Sequence, residues 1–353
     1  MPTRRSTPLA LALAAAGLLV SLPAALAGAG TAAPPAADPH AAHHAVPPPD
    51  SSESSAPAAD AIQSCAQPAS AAAAAAPEPH RAPAALGHYR ALAALPTDPR
   101  PAPDGADRRQ FALSAMSPGY LKILDVPPAY LDLPPEAIAV APFPPNSSAQ
   151  TRAELDHLLE LQARRTPEEV ATSRRLAGVY YRLSVRPGDA DWAGMRQNLF
   201  HMGRQLGAWF SPEGLPVTAD FMARVWSDAS YYLWAAKFRF NRIRPWELEP
   251  RLENLENANF PAYPSGHSGN SWVAAYVYAE LLPEHRELFE RNAADMAYSR
   301  EILGVHFASD SESGRLFARQ LVDRLLERAD FRRDLEAARR EIRAAHSQVA
   351  SCC

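Results

Sequence analysis

Apolar positions recur with a helical period from about residue 108 towards the C-terminal end of the chain. Large apolar residues return every three or four positions and polar residues fill the opposite face, which is typical of amphipathic α-helices. The pattern predicts helices at about 149–165, 167–183, 192–210, 218–240, 268–282, 284–303, 311–328 and 332–346. Alternating β-branched segments, which would indicate strands, do not occur between them. The sequence therefore predicts an all-α fold with a single helical-bundle domain.

The segment before residue 108 has a different composition. Arg4 and Arg5 precede a short apolar run at 9–22, and small residues at 25–27 offer a cleavage site. This predicts a signal peptide at 1–27 and a periplasmic or secreted protein. Residues 28–107 are rich in Ala, Pro and Ser, and such a segment buries too little apolar surface to offset its chain entropy. We expect a disordered Ala/Pro-rich linker at 28–107, one domain at 108–347 and a tail at 348–353.

Charge and hydropathy narrow the range of partners. The net charge is −4, from 35 basic and 39 acidic residues, so neither nucleic acid nor an anionic membrane is an expected partner. After the signal, no run approaches the roughly 18 to 20 apolar residues of a membrane span, so we do not expect an integral membrane protein. A histidine cluster in the linker is more typical of a solvated segment than of a metal site (His40, His43 and His44). The sequence is compatible with a monomer or a homo-oligomer.

The cysteines lie outside the predicted domain. They are Cys65, Cys352 and Cys353, so the core cannot depend on a disulfide. In an oxidising compartment Cys65 could pair with either C-terminal cysteine, and the sequence does not decide between the two.

Three polar motifs interrupt the predicted helices in the second half of the domain. They read KFRFNRIRP, PSGH and SREILGVHFASD. Together they supply the candidate site residues Lys237, Arg244, Ser265, Gly266, His267, Ser299, Arg300, His306 and Asp310.

Several of these residues suit a phosphate group. Arg244 and Arg300 offer planar forks that bind two oxygens at once, and Lys237 adds a compact point charge. Only Lys122 and Lys237 are lysines in this arginine-rich chain, which indicates that shape matters at position 237. The Ser265-Gly266 pair precedes a predicted helix, where backbone N–H groups form an anion site.

The two histidines suit separate steps of a phosphoryl transfer. Asp310 follows His306 by four residues, so on a helix the two side chains would touch. A carboxylate on one ring nitrogen fixes the tautomer and leaves the other nitrogen free to attack phosphorus. His267 would then protonate the departing oxygen. Each motif alone has an ordinary structural explanation. Together, in this order, they supply cations to bind phosphate, a nucleophile and a general acid, which no single motif provides.

The combined pattern resembles the signature of the type 2 phosphatidic acid phosphatase (PAP2)/vanadium haloperoxidase superfamily. Within it, the chain most resembles the secreted bacterial class A non-specific acid phosphatases. The resemblance covers about residues 120–326, including the helix start in AYPSGHSGN and the proline-rich stretch PFPPNSSAQ. It implies an all-helical domain with its active site at helix ends.

The resemblance also implies a role for each candidate residue. His306 would be the nucleophile, Asp310 its orienting partner and His267 the general acid. The phosphate would be held by Lys237, Arg244, Ser265, Gly266 and Arg300. Ser299 would have a supporting role. We expect hydrolysis of soluble phosphate monoesters with no metal and no cofactor, with vanadate as an inhibitor and phosphate as a product.

Three alternative functions use the same motifs. A vanadate-dependent haloperoxidase would share the pocket, but only 32 residues separate His267 from Arg300, and haloperoxidases usually carry a longer insert there. A lipid or diphosphate phosphatase usually has membrane-spanning helices, although action at the outer membrane surface stays open. A non-catalytic phosphate-binding domain would be expected to lack the nucleophile or the acid, and both are present.

Overall fold

The structure, a computed structural model of the chain, describes Leu92 and residues 105–116 and 118–351. All of these residues lie in one compact unit. Helices are the only regular secondary structure in this part of the chain, which confirms the all-α prediction. The predicted signal peptide, most of the predicted linker, the linker histidines and the three cysteines lie outside the described residues, and the expectations for them stay predictions.

The described α-helices follow one another with short connections. They are α1 (Pro118–Leu121), α2 (Ala149–Arg164), α3 (Pro167–Ala177), α4 (Trp192–Asn198), α5 (Pro216–Phe240), α6 (Pro245–Leu248), α7 (Gly266–Leu281), α8 (Arg286–Ile302), α9 (Ala308–Glu327) and α10 (Ala329–Ser351). Short 3-10 helices lie at Ala106–Arg108, Leu113–Ala115, Lys122–Asp125, Pro135–Ala137, His201–Leu206 and Pro283–His285. None of the described helices is both long and apolar enough to cross a membrane.

Side-chain caps fix two of the helix starts. The Ser148 hydroxyl accepts a hydrogen bond from Thr151 N at the start of α2. At the start of α3, Thr166 and Glu169 form a capping box, with a proline in the first turn. These caps satisfy backbone N–H groups that have no partner inside the helix.

Helix α7 is the central helix of the described bundle. Its residues are buried on nearly every side, and it packs against α5, α8 and α9. A helix that is buried all round needs small residues wherever a neighbour comes close. The residues around PSGH therefore lie in the interior of the domain.

Two glycines let α7 pack closely against its neighbours. A Cβ on Gly314 of α9 would lie 2.8 Å from Gly269 N and 3.0 Å from Ser265 O. A Cβ on Gly269 would lie 2.8 Å from the side chain of Leu233 in α5. The close contact places the starts of α7 and α9 side by side, where Ser265 N donates to Asp310 O at 2.9 Å.

Several helix bounds differ from those that periodicity predicts. Helix α3 ends at Ala177 and not near residue 183, because Gly178 and Val179 close it with tighter backbone hydrogen bonds to Arg175 and Leu176. The predicted helix at 192–210 is broken. Gly203 there has non-helical dihedral angles (φ −113°, ψ 20°), and the Phe210 ring packs directly against it.

Helical structure and hydrogen bonds continue past both ends of the predicted domain, and its bounds stay a prediction. Helix α10 continues to Ser351, so the predicted tail is helical as far as that residue. At the other end, Asn146 Nδ2 donates to Ala106 O at 2.8 Å and Ser147 N donates to Asp107 at 2.7 Å. Contacts with the domain therefore reach slightly upstream of residue 108.

The contact between α7 and α9 gives a first testable prediction. We expect Gly314→Ala to lower the free energy of unfolding by about 1–3 kcal/mol, because its Cβ would meet backbone atoms that cannot move cheaply. Gly194→Ala in α4 is the matched control, since nothing lies within 4 Å of its added Cβ. Chemical denaturation of both variants measures the difference, and equal stability of the two would contradict the packing.

Candidate active site

The predicted site residues come together at helix ends. Lys237 lies in the last turn of α5 and Arg300 in the last turn of α8. Ser265 is the N-cap of α7, Asp310 lies in the first turn of α9, and His306 lies between α8 and α9. A pocket at this place is lined by Tyr120, Tyr180, Trp234, Lys237, Glu256, Asn257, Phe260, Gly266, His267 and His306.

His306 and Asp310 are in contact, but not as neighbours on one helix. Helix α9 begins at Ala308, so His306 precedes it and the expected helical pairing is wrong as the reason for the contact. Instead, Asp310 Oδ2 accepts hydrogen bonds from His306 Nδ1 at 3.0 Å and from Phe307 N at 3.1 Å. The Asp310 side chain thus caps the N-terminus of α9, where the helix dipole favours a negative charge. From this position it orients the His306 imidazole.

Asp310 is held in its ionised form by Arg242. Arg242 Nη1 donates to Asp310 Oδ1 at 2.7 Å, and both side chains are fully buried. The Arg242 guanidinium also lies 3.7 Å from the centre of the Phe307 ring. Burial raises the pKa of Asp310, but the charge of Arg242 and the hydrogen bond from His306 outweigh it and bring the pKa to about 2. The carboxylate is therefore an acceptor at any pH at which the protein would work.

This contact determines the tautomer of His306. Because a carboxylate only accepts hydrogen bonds, Nδ1 carries the proton and Nε2 presents its lone pair. Burial, and then the charge of Arg244, lower the pKa of His306 well below its ordinary value of 6.5. The Nε2 lone pair accepts a hydrogen bond from Arg244 Nη1 at 3.1 Å. The ring is thus neutral, with its nucleophilic nitrogen beside a guanidinium.

Arg244 and Arg300 combine fixed contacts with donors that have no partner. Arg244 donates through Nε to Phe260 O at 2.9 Å and through Nη1 to Val305 O at 2.7 Å. Arg300 Nη2 donates to Glu256 Oε2 at 2.5 Å. Arg244 Nη2 and Arg300 Nε and Nη1 are buried without a hydrogen-bond partner among the described residues. Buried donors of this kind are costly unless a ligand completes them, and phosphate oxygens would do so.

Lys237 is fixed by hydrogen bonds to the backbone, and its expected role in phosphate binding stays a prediction. Its Nζ donates to three backbone carbonyls, at 3.0 Å to Pro261, 3.2 Å to Ala262 and 2.7 Å to Pro264. Burial, and then the charge of Arg244, lower its pKa well below the ordinary value. The three acceptors match the three N–H groups of an ammonium and favour the charged form. Lys237 thus shapes the loop before PSGH and brings its charge to the pocket wall.

The PSGH motif forms the start of α7. The Ser265 hydroxyl caps the helix by accepting from Ser268 N at 3.4 Å, and Ser265 N donates to Asp310 O. Gly266 lines the pocket, and a Cβ there would make only ordinary contact with Lys237 at 3.6 Å. The protein itself therefore tolerates a side chain at 266, and a need for glycine would come from a ligand.

His267 is oriented by the early end of α3. Its Nε2 lies 3.0 Å from the carbonyl oxygen of Ala177, the last residue of that helix. A carbonyl only accepts, so Nε2 carries a proton, and Nδ1 is the nitrogen at which the ring gains or loses one. The last carbonyls of a helix lack intrahelical partners, which makes Ala177 available for this contact.

Ser299 does not line the pocket. Its hydroxyl donates to Met296 O at 2.7 Å, one turn back in α8. The structure therefore places its hydroxyl on the backbone of its own helix, one turn before Ser299.

Two buried residues behind the site were missed by sequence reasoning. Glu154 of α2 accepts from the Ser309 hydroxyl at 2.7 Å and lies 3.8 Å from Arg242 Nη2. Burial raises the pKa of Glu154 to about 7, although the charge of Arg242 opposes it. Arg242 stands inside the KFRFNRIRP motif, so its position was visible in the sequence. Glu154 lies in an ordinary amphipathic helix, and no local signal distinguishes it.

The pocket walls carry a carboxylate and four aromatic rings that the motifs did not predict. Glu256 lies in the loop between α6 and α7. The Trp234 and Phe260 rings lie 5.9 and 5.4 Å from Lys237 Nζ, and the Phe260 ring lies 4.6 Å from the Arg244 guanidinium. Such cation–π contacts add to the hydrogen bonds that hold these cations in place.

Comparison with known proteins agrees with these observations. Residues 227–322 match the family model of the PAP2 superfamily, and this span contains all nine candidate residues. The resemblance to the PAP2 superfamily is confirmed. The match includes α7 and most of α9, the two helices whose starts form the centre of the site.

Two curated relatives carry phosphatase names. The chain is 32% identical over 142 residues to an acid phosphatase of Zymomonas mobilis subsp. mobilis, covering 38% of this chain and 53% of the relative. It is 31% identical over 144 residues to a non-specific acid phosphatase of Salmonella typhimurium, covering 39% and 57%. The matched part thus spans about half the length of these relatives. A bacterial vanadium-dependent iodoperoxidase structure covers 67% of this chain and 64% of its own at 21% identity, with a TM-score of 0.42.

The contacts of Lys237 give a prediction for the site. We expect Lys237→Arg to lower the unfolding free energy by about 1–3 kcal/mol and to reduce kcat/KM, because a planar guanidinium cannot serve three carbonyls around one point. Lys122→Arg, at the other lysine of the chain, is exposed and serves as the control. Denaturation and phosphatase assays would contradict the account if the two variants behaved alike.

Proposed function

We propose that this protein is a metal-independent acid phosphatase that hydrolyses phosphate monoesters through a phosphohistidine on His306. The observation that carries the proposal is the state of the His306 ring. Nδ1 is held by the ionised Asp310 carboxylate, and the Nε2 lone pair meets Arg244 beside the pocket. A neutral imidazole with its lone pair turned to a group of cations suits attack on a phosphoryl group.

In the first step, a substrate phosphate replaces Nε2 as the acceptor of Arg244. The released Nε2 lone pair forms a bond to phosphorus, and the bond from phosphorus to the ester oxygen breaks. The leaving oxygen takes a proton from Nδ1 of protonated His267, whose Nε2 stays on the Ala177 carbonyl. The products of this step are the free alcohol and a phosphorylated His306.

In the second step, water takes the place of the alcohol. Nδ1 of the now neutral His267 accepts a proton from water, and the oxygen attacks phosphorus as the bond to Nε2 breaks. Inorganic phosphate leaves, and both histidines return to their starting states. An alcohol in place of water would give transfer of the phosphoryl group. Because His267 must begin protonated, the rate is expected to fall on the alkaline side.

The cations supply the charge stabilisation in this mechanism. The unpartnered N–H groups of Arg244 and Arg300, with the charge of Lys237, would hold the equatorial oxygens of the transition state. We therefore propose that turnover needs no metal and no cofactor. Vanadate, which adopts the geometry of this transition state, would act as an inhibitor.

The substrates we propose are small soluble phosphate monoesters. The names of the curated relatives, acid phosphatase and non-specific acid phosphatase, support this class. A periplasmic or secreted location is part of the proposal and rests on the N-terminal sequence pattern alone.

The test compares the full-length protein with His306→Ala in p-nitrophenyl phosphate hydrolysis at acidic pH with excess EDTA. We expect turnover that resists EDTA and vanishes in the variant, because no other group supplies the nucleophile. His346→Ala, at an exposed histidine outside the pocket, is the control. Activity that needs a metal or survives His306→Ala would contradict the mechanism. Bromide oxidation with vanadate, without phosphatase activity, would favour a haloperoxidase.

A further inference from the structure

The phosphate pocket contains a carboxylate. Glu256 lines it together with Lys237, His267 and His306, and only 16% of its side chain is exposed. It is the one carboxylate among the described residues that line this pocket. A carboxylate in the wall of an anion-binding pocket repels phosphate unless nearby cations neutralise its charge. A carboxylate at this position is therefore expected to have a role of its own.

The first partner of Glu256 is Arg300. Glu256 Oε2 accepts from Arg300 Nη2 at 2.5 Å, which occupies one corner of the guanidinium fork. The other two nitrogens, Nε and Nη1, are left without a hydrogen-bond partner among the described residues. The ion pair thus fixes the plane of Arg300 and leaves two donors for phosphate oxygens.

The second partner of Glu256 is His267, which shares the pocket wall with it. Burial raises the pKa of Glu256, but the charges of Arg300 and His267 and the hydrogen bond from Arg300 outweigh it, so the pKa lies below the ordinary value. The Glu256 carboxylate is therefore held in its ionised form beside His267. A carboxylate that protonated His267 stabilises must in turn stabilise the protonated form of His267.

Among the described residues that line the pocket with His267, Glu256 is the one that carries a negative charge. Ala177 O accepts from its Nε2, the Tyr180 ring lies 5.8 Å away, and Lys237 and His306 share the pocket with it. The cations Arg244 and Arg300 both act on Glu256. Among these described neighbours, Glu256 is the group that opposes loss of the proton from His267.

We propose that Glu256 is a positioning residue of this site, which orients Arg300 for phosphate binding and keeps His267 in the protonated form that donates to the leaving oxygen. The proposal rests on the proposed function, since it assigns His267 as the general acid. It deepens that function by naming a residue outside the three motifs that sets the alkaline limit of activity.

The test is the pH dependence of kcat/KM for the full-length protein and Glu256→Gln. We expect the alkaline midpoint of the variant to move to lower pH by about one unit or more, because an opposite charge beside His267 has been removed without a change of shape. Glu256→Asp, which keeps the charge, is expected to leave that midpoint near the wild-type value even if its rate falls. Glu253→Gln, an exposed carboxylate of the same loop, is the matched control and is expected to show no shift.

A second substrate separates proton donation from phosphate binding. Glycerol 2-phosphate has a poor leaving group that depends on the general acid, whereas p-nitrophenolate leaves with little help. At pH 7 we expect the loss of kcat/KM in Glu256→Gln to be larger for glycerol 2-phosphate. Equal losses for both substrates would overturn the part of the proposal that concerns His267.

An alkaline midpoint that is unchanged in Glu256→Gln, or that moves to higher pH, would overturn the proposal. If that variant does not fold, an NMR titration of labelled histidine compares the wild type with Glu256→Ala, which also removes the charge. We expect the titration midpoint of His267 to be lower in Glu256→Ala than in the wild type, and an equal or higher midpoint contradicts the proposal. Failure of the proposed function looks different, because His306→Ala would then remain active or the wild type would be inactive.

Discussion

The Asp310 carboxylate accepts hydrogen bonds from three different groups, and the chemistry of the site depends on them. It binds the His306 ring, the Phe307 backbone and the Arg242 guanidinium in a place that water does not reach. An isolated carboxylate would take up a proton there, and His306 would then lose the acceptor that fixes its tautomer. The pair with Arg242 prevents this, so the buried ion pair sets which nitrogen of His306 can react.

The fold brings these groups together through close backbone packing. Helix α7 can lie against α9 only because Gly314 has no side chain, and the same contact joins Ser265 to Asp310. Lys237 then ties the end of α5 to the loop that enters α7. The cations and histidines of the site come from distant parts of the sequence. They meet because they lie at the ends of helices that pack together in the core.

Much of this arrangement was predictable from the sequence. Helical periodicity predicted the fold class, and the three motifs contain four residues that line the pocket, which are Lys237, Gly266, His267 and His306. The reasons for individual contacts were not predictable. His306 meets Asp310 through a turn before the helix, and the His267 contact depends on α3 ending at Ala177, which periodicity placed near residue 183.

The residues that sequence reasoning missed share one property, which is that their role comes from tertiary contacts. Glu154 reaches the site from α2 and Glu256 from a loop, and neither belongs to a motif. Arg242 lies inside a motif, two residues before Arg244. The Arg242 guanidinium binds Asp310, whereas the Arg244 guanidinium binds His306. Only the folded chain shows which arginine does which task.

The central claim is that Nε2 of His306 carries the phosphoryl group. The direct measurement is to trap the phosphorylated full-length protein with p-nitrophenyl phosphate in the His267→Asn background, where the second step is slow. An alkaline quench and mass spectrometry of the digested protein then locate the phosphate, with chemical standards to distinguish the two ring nitrogens. The account predicts one phosphoryl group on Nε2 of His306. A phosphoryl group on Nδ1 or on another residue, or product release with no covalent adduct, would contradict it.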